Sequence, residues 1–218
     1  MSGADADDPR LTAEPAEAWL HDVARIVVVG PLAAGKTTFA AELAGRLGAA
    51  HVELDELYWG PGWTRSPVDE FRSAVQTALE DADRWVVCGD FDAVRDLIWP
   101  HVELVIWLDF PFRVILRRNI ARRWQRHVER SAEERELRRG RLASVRSWFY
   151  RRRLLSVPVV WLRILLAQRR VLTHFRAVRR GYVERCADAG QTGWQVVRLA
   201  QPDEAEQLLA SLEPRSSI

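Results

Sequence analysis

One stretch of the chain decides its fold: Arg25-Ile26-Val27-Val28-Val29-Gly30-Pro31-Leu32-Ala33-Ala34-Gly35-Lys36-Thr37-Thr38. It opens with a β-branched apolar run of the kind found in buried strands. Gly30 to Thr37 match the pattern GxxxxGK[ST] in full, and residues 38–47 then carry apolar side chains at helical spacing. Strand, loop and helix in this order let successive backbone N–H groups converge on an anion. The stretch therefore predicts a phosphate-binding loop, against the alternative of a glycine turn with an incidental lysine.

Lys36 is the only lysine of the chain, and every other member of its 32 Lys and Arg residues is an arginine. A single retained ammonium favours a site that needs a compact, rotatable point charge. The oxygens between the β- and γ-phosphates of a nucleotide are such a site, and a hydroxyl next to the lysine is a ligand for Mg²⁺. We therefore expect ATP and Mg²⁺ as cofactors. The expected ATP-binding residues are Gly30, Pro31, Leu32, Ala33, Ala34, Gly35, Lys36, Thr37 and Thr38.

Length and composition fit one domain with an inserted segment. With 218 residues and 48% hydrophobic content, the chain is long enough for one substantial core. Residues 1–24 are acidic and hold no apolar run of the secretory type, so we expect a tail there and the phosphate-loop domain over residues 25–218. Cys88 and Cys186 have no metal-type companions nearby, and together with the missing export signal they predict a cytoplasmic protein.

The most apolar segment of the chain runs from Leu154 to Ala167. It is short for a bilayer, and it holds Pro158 and carries Arg163 in its middle. This favours a buried or interfacial helix over a membrane span.

Apolar runs alternate with helical patterns along the rest of the chain. Strands are predicted at residues 51–55, 84–90, 102–109 and 194–199, and helices at residues 68–81 and 203–212. This alternation predicts an α/β fold with three layers, in which helices cover both faces of a five-stranded parallel sheet. Ligands of such sheets bind beyond the carboxyl ends of the strands. Asp55, Asp90 and Asp109 end three of these runs, so we expect them at the edge that carries the phosphate loop.

The insertion before the last strand, residues 112–188, is rich in arginine and is expected to form three helices and a loop. Residues 113–153 hold fifteen arginines against four glutamates, although the net charge of the chain is only +2. A cationic segment favours polyanionic partners, and nucleotide phosphates, nucleic acid or an acidic surface all qualify. The arginines around Gly140 predict a lid that closes over ATP, or alternatively a plain charged helix hairpin.

Arg118 and Arg122 are four residues apart, so both point to one face of a helix and are candidates for gripping phosphates opposite Lys36. Their neighbours Arg117 and Arg123 form an alternative pair. A solvated helix surface is the alternative for any one of these arginines.

Several segments occur together in one order along the chain. They are Leu54 to Trp63 (LDELYWGPGW), Asp69-Glu70-Phe71, Trp85 to Phe91 (WVVCGDF) and Trp107 to Pro111 (WLDFP). In this order they resemble the adenylate-kinase-like P-loop proteins of the topology modulation branch, within the nucleoside and nucleotide kinase superfamily. The resemblance is good over residues 25–126 and weak through the insertion, and it returns faintly at the last strand and helix. It implies a P-loop NTPase core, an acceptor site around residues 55–63 and a basic lid whose arginines clamp the transferring phosphoryl group.

One departure from that family concerns the end of the third strand. These proteins usually have Asp directly before the glycine, whereas this chain has Cys88 before Gly89 and the acid after it, at Asp90. The resemblance implies a carboxylate that positions Mg²⁺ at this place. We therefore expect that Asp90 or Asp55 substitutes for it, or that catalysis is weakened.

Asp55 is the candidate for orienting an acceptor hydroxyl or phosphate, or for holding a magnesium-bound water; capping of the next turn is the alternative. Tyr58, Trp59 and Trp63 lie among glycines and prolines, which suits rings presented to a base or sugar, or rings that cover the edge of the core. The expected catalytic residues are Lys36, Arg118, Arg122 and Asp55. The expected substrate-binding residues are Asp55, Tyr58, Trp59, Trp63 and Asp90, and the expected metal-binding residues are Thr37, Asp55 and Asp90.

Three functions follow as hypotheses. The first is an ATP-dependent kinase that acts on a nucleotide, a nucleoside or a similar small acceptor. The second is a nucleotide-gated module without kinase turnover that binds nucleic acid through the arginine-rich segment. The third is an ATPase or a kinase for a non-nucleotide metabolite, since small-molecule kinases are built on the same core.

Overall fold

The computed structural model describes residues 19–139, 172–173, 175–185 and 193–212 of this chain. These residues contain seven strands: β1 (Arg25–Val29), β2 (Ala50–Glu53), β3 (Trp59–Gly60), β4 (Thr64–Arg65), β5 (Trp85–Cys88), β6 (Leu104–Leu108) and β7 (Gln195–Leu199). Five of them form one parallel sheet with the order β2-β5-β1-β6-β7, while β3 and β4 pair as a small antiparallel hairpin. The predicted five-stranded parallel sheet is therefore confirmed.

Helices cover both faces of this sheet. They are α1 (Lys36–Leu47), α2 (Leu54–Tyr58), α3 (Val68–Glu80), α4 (Arg95–Ile98), α5 (Phe112–Arg139), α6 (residues 175–185) and α7 (Pro202–Ser211). On one face Ile26 and Val28 join a core cluster with α1, α7 and the start of α5. On the other face Val27 and Val29 pack with α3, α4 and α6. Side chains alternate along a strand, so β1 is apolar throughout because both of its faces are buried.

The order of the strands places a crevice at the carboxyl end of β1. β1 lies in the middle of the sheet, with β5 and β2 on one side and β6 and β7 on the other. Where the order of a parallel sheet changes direction in this way, loops leave on opposite sides and a ligand site opens between them. The loop of residues 30–35 begins at this point.

The element boundaries differ from the sequence expectations in ways that affect the site. β2 ends at Glu53, and the chain turns at once into α2, so Asp55 lies in the first turn of a helix and not on a strand. Leu54, the first residue of α2, is fully buried, and its Cβ lies 3.4 Å from the place that a Cβ on Gly89 would occupy. α1 begins at Lys36 itself, two residues earlier than predicted.

The predicted insertion is described only in part. Residues 112–139 form the single helix α5, and residues 175–185 form α6. The arginines beyond Gly140, the apolar segment of residues 154–167 and most of the acidic tail lie outside the described residues. Within the described part, no helix combines the length and the apolar character needed to cross a membrane.

Candidate phosphate-binding site

The backbone of the loop between β1 and α1 requires glycine at both glycine positions of the GxxxxGK[ST] pattern, Gly30 and Gly35. Gly30 has φ +151°, and a Cβ there would lie 2.8 Å from the carbonyl oxygen of Leu108. Gly35, directly before α1, has φ +97°. Both conformations are accessible to glycine at low cost and strained for other residues. Ala33 also has a positive φ, +65°, so the loop is wound tightly on itself.

Lys36 folds back over the loop that precedes it. Its Nζ donates to the carbonyl oxygen of Pro31 at 3.1 Å. Burial lowers the pKa of the Lys36 ammonium, and the charges of nearby groups, Asp55 among them, oppose that shift. The ammonium is therefore held at the loop, at the start of α1, where the helix dipole and free N–H groups also favour an anion.

Thr37 meets two side chains from neighbouring strands. Its Oγ1 donates to Glu53 Oε1 at 2.8 Å and lies 3.8 Å from Cys88 Sγ. Burial raises the pKa of the Cys88 thiol to about 11, so the thiol is uncharged at neutral pH. Glu53 was not among the predicted site residues. The signal available in the sequence was its position at the end of the second apolar run, where an acid reaches the same edge as the loop.

Arg118 connects α5 to the loop. Its Nη1 donates to the carbonyl oxygen of Ala34 at 2.5 Å, and its guanidinium lies over the ring of Phe110 at 5.2 Å. Arg122, one turn further along α5, is close enough to the Lys36 ammonium to lower its pKa. Arg123, from the alternative pair, donates instead to Asn119 Oδ1 on its own helix at 3.0 Å. The structure thus brings Arg118 and Arg122 to the loop, on the pattern that the sequence predicts.

Two strand-end acids are bound by arginines from distant parts of the chain. The Asp90 side chain is 8% exposed and accepts hydrogen bonds from Arg95 and from Arg185 of α6, the latter at 2.6 Å. The Asp109 side chain is 1% exposed and accepts hydrogen bonds from Arg179 of α6 and from Arg198 of β7. The carboxylate of Asp90, an expected substrate and metal ligand, is therefore part of an ion-pair network.

The aromatic residues on the expected acceptor side divide into two groups. Tyr58 packs into a cluster, with its ring centroid 5.2 Å from that of Phe71 and 4.8 Å from that of Phe91. Trp63, in contrast, is 77% exposed and contacts Trp59 edge-on at 5.9 Å. Tyr58 thus covers the edge of the core, and Trp63 presents its ring to solvent.

A cleft of about 510 Å³ opens beside the loop, between α1, α5 and α7. We call it the α5–α7 cleft. Its lining includes Ala34, Phe39, Phe110, Arg118, Arg122 and Leu209. A partly apolar pocket of this size suits a small organic ligand, and here it continues into the phosphate-binding loop.

The acids of the site do not form a metal cage. In the parts of the chain that the structure covers, no group of three or more His, Cys, Asp or Glu side chains could hold a metal ion. Mg²⁺ in phosphate sites needs only one or two protein ligands, because phosphate oxygens and waters complete its coordination. Thr37, with Glu53 beside it, fits a magnesium ion of that shared kind.

No protein-family model matches the chain. It is similar to YqaC of Bacillus subtilis, an uncharacterized protein, with 27% identity over 103 residues that span 47% of this chain and 58% of YqaC. The chain thus matches less than two thirds of the length of this relative.

Three solved kinase structures are similar to the chain. Shikimate kinase from Acinetobacter baumannii in complex with shikimate has a TM-score of 0.39 and 17% identity, over 90% of this chain and 93% of that one. Deoxyadenosine kinase from M. mycoides with bound dCTP has a TM-score of 0.34 and 12% identity, over 86% and 98%. A sugar kinase from Janibacter sp. HTCC2649 has a TM-score of 0.31 and 22% identity, over 44% and 65%. TM-scores this low do not establish a shared fold by themselves, so the α/β P-loop architecture rests on the sheet order and loop geometry described above.

Proposed function

We propose that this protein is an ATP-dependent kinase that transfers the γ-phosphoryl group of Mg-ATP to a nucleotide, a nucleoside or a similar small acceptor. One observation carries the proposal: the chain's single lysine is half-buried at a glycine loop, where its Nζ donates to the carbonyl oxygen of Pro31, at the N-terminus of a 12-residue helix. Backbone N–H groups, helix dipole and ammonium all favour a polyphosphate at this place.

Phosphoryl transfer requires the protein to position the reacting groups and to neutralise the charge of the phosphates. In the proposed complex the loop N–H groups and Lys36 bind the β- and γ-phosphates. Arg118 and Arg122 approach the same phosphates from α5. The Thr37 hydroxyl would help to hold Mg²⁺, which would supply positive charge to the phosphate oxygens.

The α5–α7 cleft is the proposed place for the nucleoside part of ATP. Ala34 and Gly35 line the cleft and also belong to the loop, so one ligand reaches both. Phe110 and Leu209 supply apolar surface for a base, and Arg118 lies where the base and phosphate regions meet.

The acceptor is proposed to bind on the α2 side of the loop. Asp55 lies in the first turn of α2, and its charge acts on the Lys36 ammonium, which supports a place for the carboxylate beside the bound phosphates. There it would orient an acceptor hydroxyl. The exposed ring of Trp63 would stack on a base or sugar, as exposed indoles do in many sites.

Calorimetric titration with Mg-ATP tests the proposal, and Lys36→Ala and Lys36→Arg are the matched variants. We expect micromolar binding by the wild-type protein and loss of binding in Lys36→Ala. In Lys36→Arg the positive charge remains, but a planar guanidinium group replaces the compact ammonium. Phosphoryl transfer should therefore still be lost. Folded wild-type protein that binds no nucleotide would contradict the proposal.

The identity of the acceptor is tested by incubating the protein with labelled ATP and separate pools of nucleosides, nucleotides and hydroxylated metabolites. Labelling of a nucleoside or nucleotide supports the proposed function. Labelling of another metabolite, or release of phosphate alone, would favour the metabolite kinase or the ATPase. The nucleic-acid hypothesis depends on the charge of residues 113–153, and binding that falls steeply with salt would support it.

A further inference from the structure

The carboxylate of Glu53 lies against the hydroxyl that the proposed function assigns to Mg²⁺. Glu53 is the last residue of β2, and Thr37 is in the first turn of α1. The Thr37 hydroxyl donates to Glu53 Oε1 at 2.8 Å. In this hydrogen bond the Thr37 hydroxyl uses its one hydrogen, so its oxygen keeps acceptor lone pairs.

Two other acids near this edge, Asp90 and Asp109, are placed differently. Asp90 is bound by Arg95 and Arg185, and Asp109 is bound by Arg179 and Arg198. Their negative charge is therefore matched by arginines before any ligand arrives. Glu53 has no such arginine partner among the contacts of the described residues.

Glu53 and Cys88 are partners across the sheet. In the parallel pairing of β2 and β5, Glu53 is in register with Cys88, and both side chains reach the Thr37 hydroxyl. A carboxylate on either strand would thus lie beside the same oxygen. Cys88 is 3% exposed, and its side chain has no carboxylate oxygens to offer at this place.

We propose that Glu53 is the positioning residue for Mg²⁺ in this protein, and that it supplies from β2 the carboxylate that is missing at Cys88 on β5. It would act through the Thr37 hydroxyl and through a water of the bound metal. Carboxylates in this outer position orient metal ligands, and their loss weakens metal binding about 10–100-fold. The inference rests on the proposed function, since the metal arrives with ATP.

A purely structural role for the same hydrogen bond makes a different prediction. Glu53→Gln keeps an amide oxygen that accepts from the Thr37 hydroxyl, but it removes the negative charge. If Glu53 only holds α1 against β2, the glutamine variant should behave as the wild type does. If Glu53 acts on the metal, the variant should lose metal-dependent binding and keep its fold.

The experiment measures ATP affinity by calorimetry, with Mg²⁺ and with EDTA, for the wild type, Glu53→Gln, Cys88→Asp and the double variant Glu53→Gln/Cys88→Asp. We expect Glu53→Gln to weaken Mg-ATP binding at least about tenfold and to leave metal-free ATP binding unchanged. The double variant moves the acid to the partner strand and should recover most of the loss. Glu56→Gln, which removes an exposed acid of α2, is the control and should change neither affinity.

Electron paramagnetic resonance of Mn²⁺ with ATP adds a readout independent of affinity, because the variant should change the spectrum of the bound ion. Equal weakening of ATP binding with and without metal would overturn the inference, and so would unchanged binding in Glu53→Gln. If the double variant fails to fold, as judged by its thermal unfolding, the single variant still decides. Wild-type protein that binds ATP under neither condition would overturn the proposed function itself.

Discussion

At the scale of single residues, the conformation of the loop depends on the absence of a side chain at Gly30. Gly30 lets the backbone of β1 turn beside β6 because nothing stands between its Cα and the carbonyl of Leu108. Tyr182 of α6 is also buried and lies close to the backbone of Gly30. The position is therefore enclosed by three elements, and its conformation leaves no room for adjustment.

Gly30→Ala should destabilise the protein by about 1–3 kcal/mol and lower its affinity for ATP, because it forces a strained φ and a contact of 2.8 Å with a backbone oxygen. Gly45→Ala is the matched control. Gly45 lies within α1, and a Cβ there would meet nothing within 4 Å, so alanine should stabilise the helix by about 0.5–1 kcal/mol. Urea unfolding of the two variants checks the opposite signs. A Gly30→Ala protein as stable as the wild type would mean that the loop does not have this conformation.

Cys88 couples stability to pH. Burial raises the pKa of its thiol from 9.0 to about 11, so between these values the thiol ionises in the unfolded chain and stays protonated in the folded protein. Unfolding then releases a proton, and the stability contributed by the neutral thiol falls as pH rises above 9.0. The fall should approach about 1.4 kcal/mol per pH unit, and Cys88→Ala should lack it.

Urea unfolding of the wild type and Cys88→Ala at about pH 8 and about pH 10 measures this difference. Cys186 is present in both proteins, so its ionisation cancels in the comparison. Parallel pH dependences would show that the thiol is not buried in the folded protein.

At the scale of elements, α5 brings Arg118 and Arg122 to the loop, and Arg118 is the one that hydrogen-bonds the loop backbone. Arg118→Ala should reduce kcat/KM for Mg-ATP about a hundredfold, the usual effect of removing one donor to a developing charge. Arg117 is the control, because it is exposed on the same helix one position earlier. Steady-state kinetics of Arg118→Ala and Arg117→Ala compare the two. Loss of activity in the Arg117 variant alone would assign phosphate binding to the alternative pair.

α6 is attached to the sheet by ion pairs at two points. Arg179 binds Asp109, and Arg185 binds Asp90. Asp109→Asn should destabilise the protein by about 2–3 kcal/mol, less than a fully buried pair would cost, because the side chains of Arg179 and Arg198 are 45% and 22% exposed. It should also make residues 175–185 more sensitive to proteolysis.

Asp96→Asn tests whether burial causes this effect. Asp96 pairs with Arg72 at 2.7 Å, but its side chain is 62% exposed, so solvent screens the pair and little stability should be lost. Thermal unfolding and limited trypsin digestion compare the two variants. If both lose the same stability, burial of Asp109 is not the cause.

At the scale of the whole molecule, the sheet gathers side chains that are distant in sequence. Thr37, Glu53 and Cys88 meet because β2 and β5 are parallel neighbours and both end at the edge where α1 begins. The α5–α7 cleft likewise is lined by the loop, by α5 and by α7, and α7 follows Arg118 of α5 by nearly ninety residues. Parallel sheets with covered faces concentrate ligand-binding groups in this way, because all strands end at one edge.

The sequence alone determined the local parts of this protein. A β-branched run, a complete GxxxxGK[ST] pattern and helical spacing specify strand, loop and helix, because their dihedral preferences and periodicities act over neighbouring residues. The spacing of Arg118 and Arg122 likewise predicted that they share a helical face. The alternation of such elements was enough to predict the five-stranded parallel sheet.

The tertiary structure decided which acids are available to a ligand. Asp90 ends a predicted strand, yet its charge is taken by Arg185, ninety-five residues away. Glu53 belongs to no motif of the sequence, yet the register of β2 against β5 brings its carboxylate within hydrogen-bond distance of the Thr37 hydroxyl. Which charged side chains pair depends on their distance in space and on their burial. Neither can be read from the residues next to them in the sequence. For that reason the pattern of the chain located the phosphate loop, and only the packing of the strands and of α6 separated Asp90 and Asp109, which bind arginines, from Glu53, which contacts Thr37.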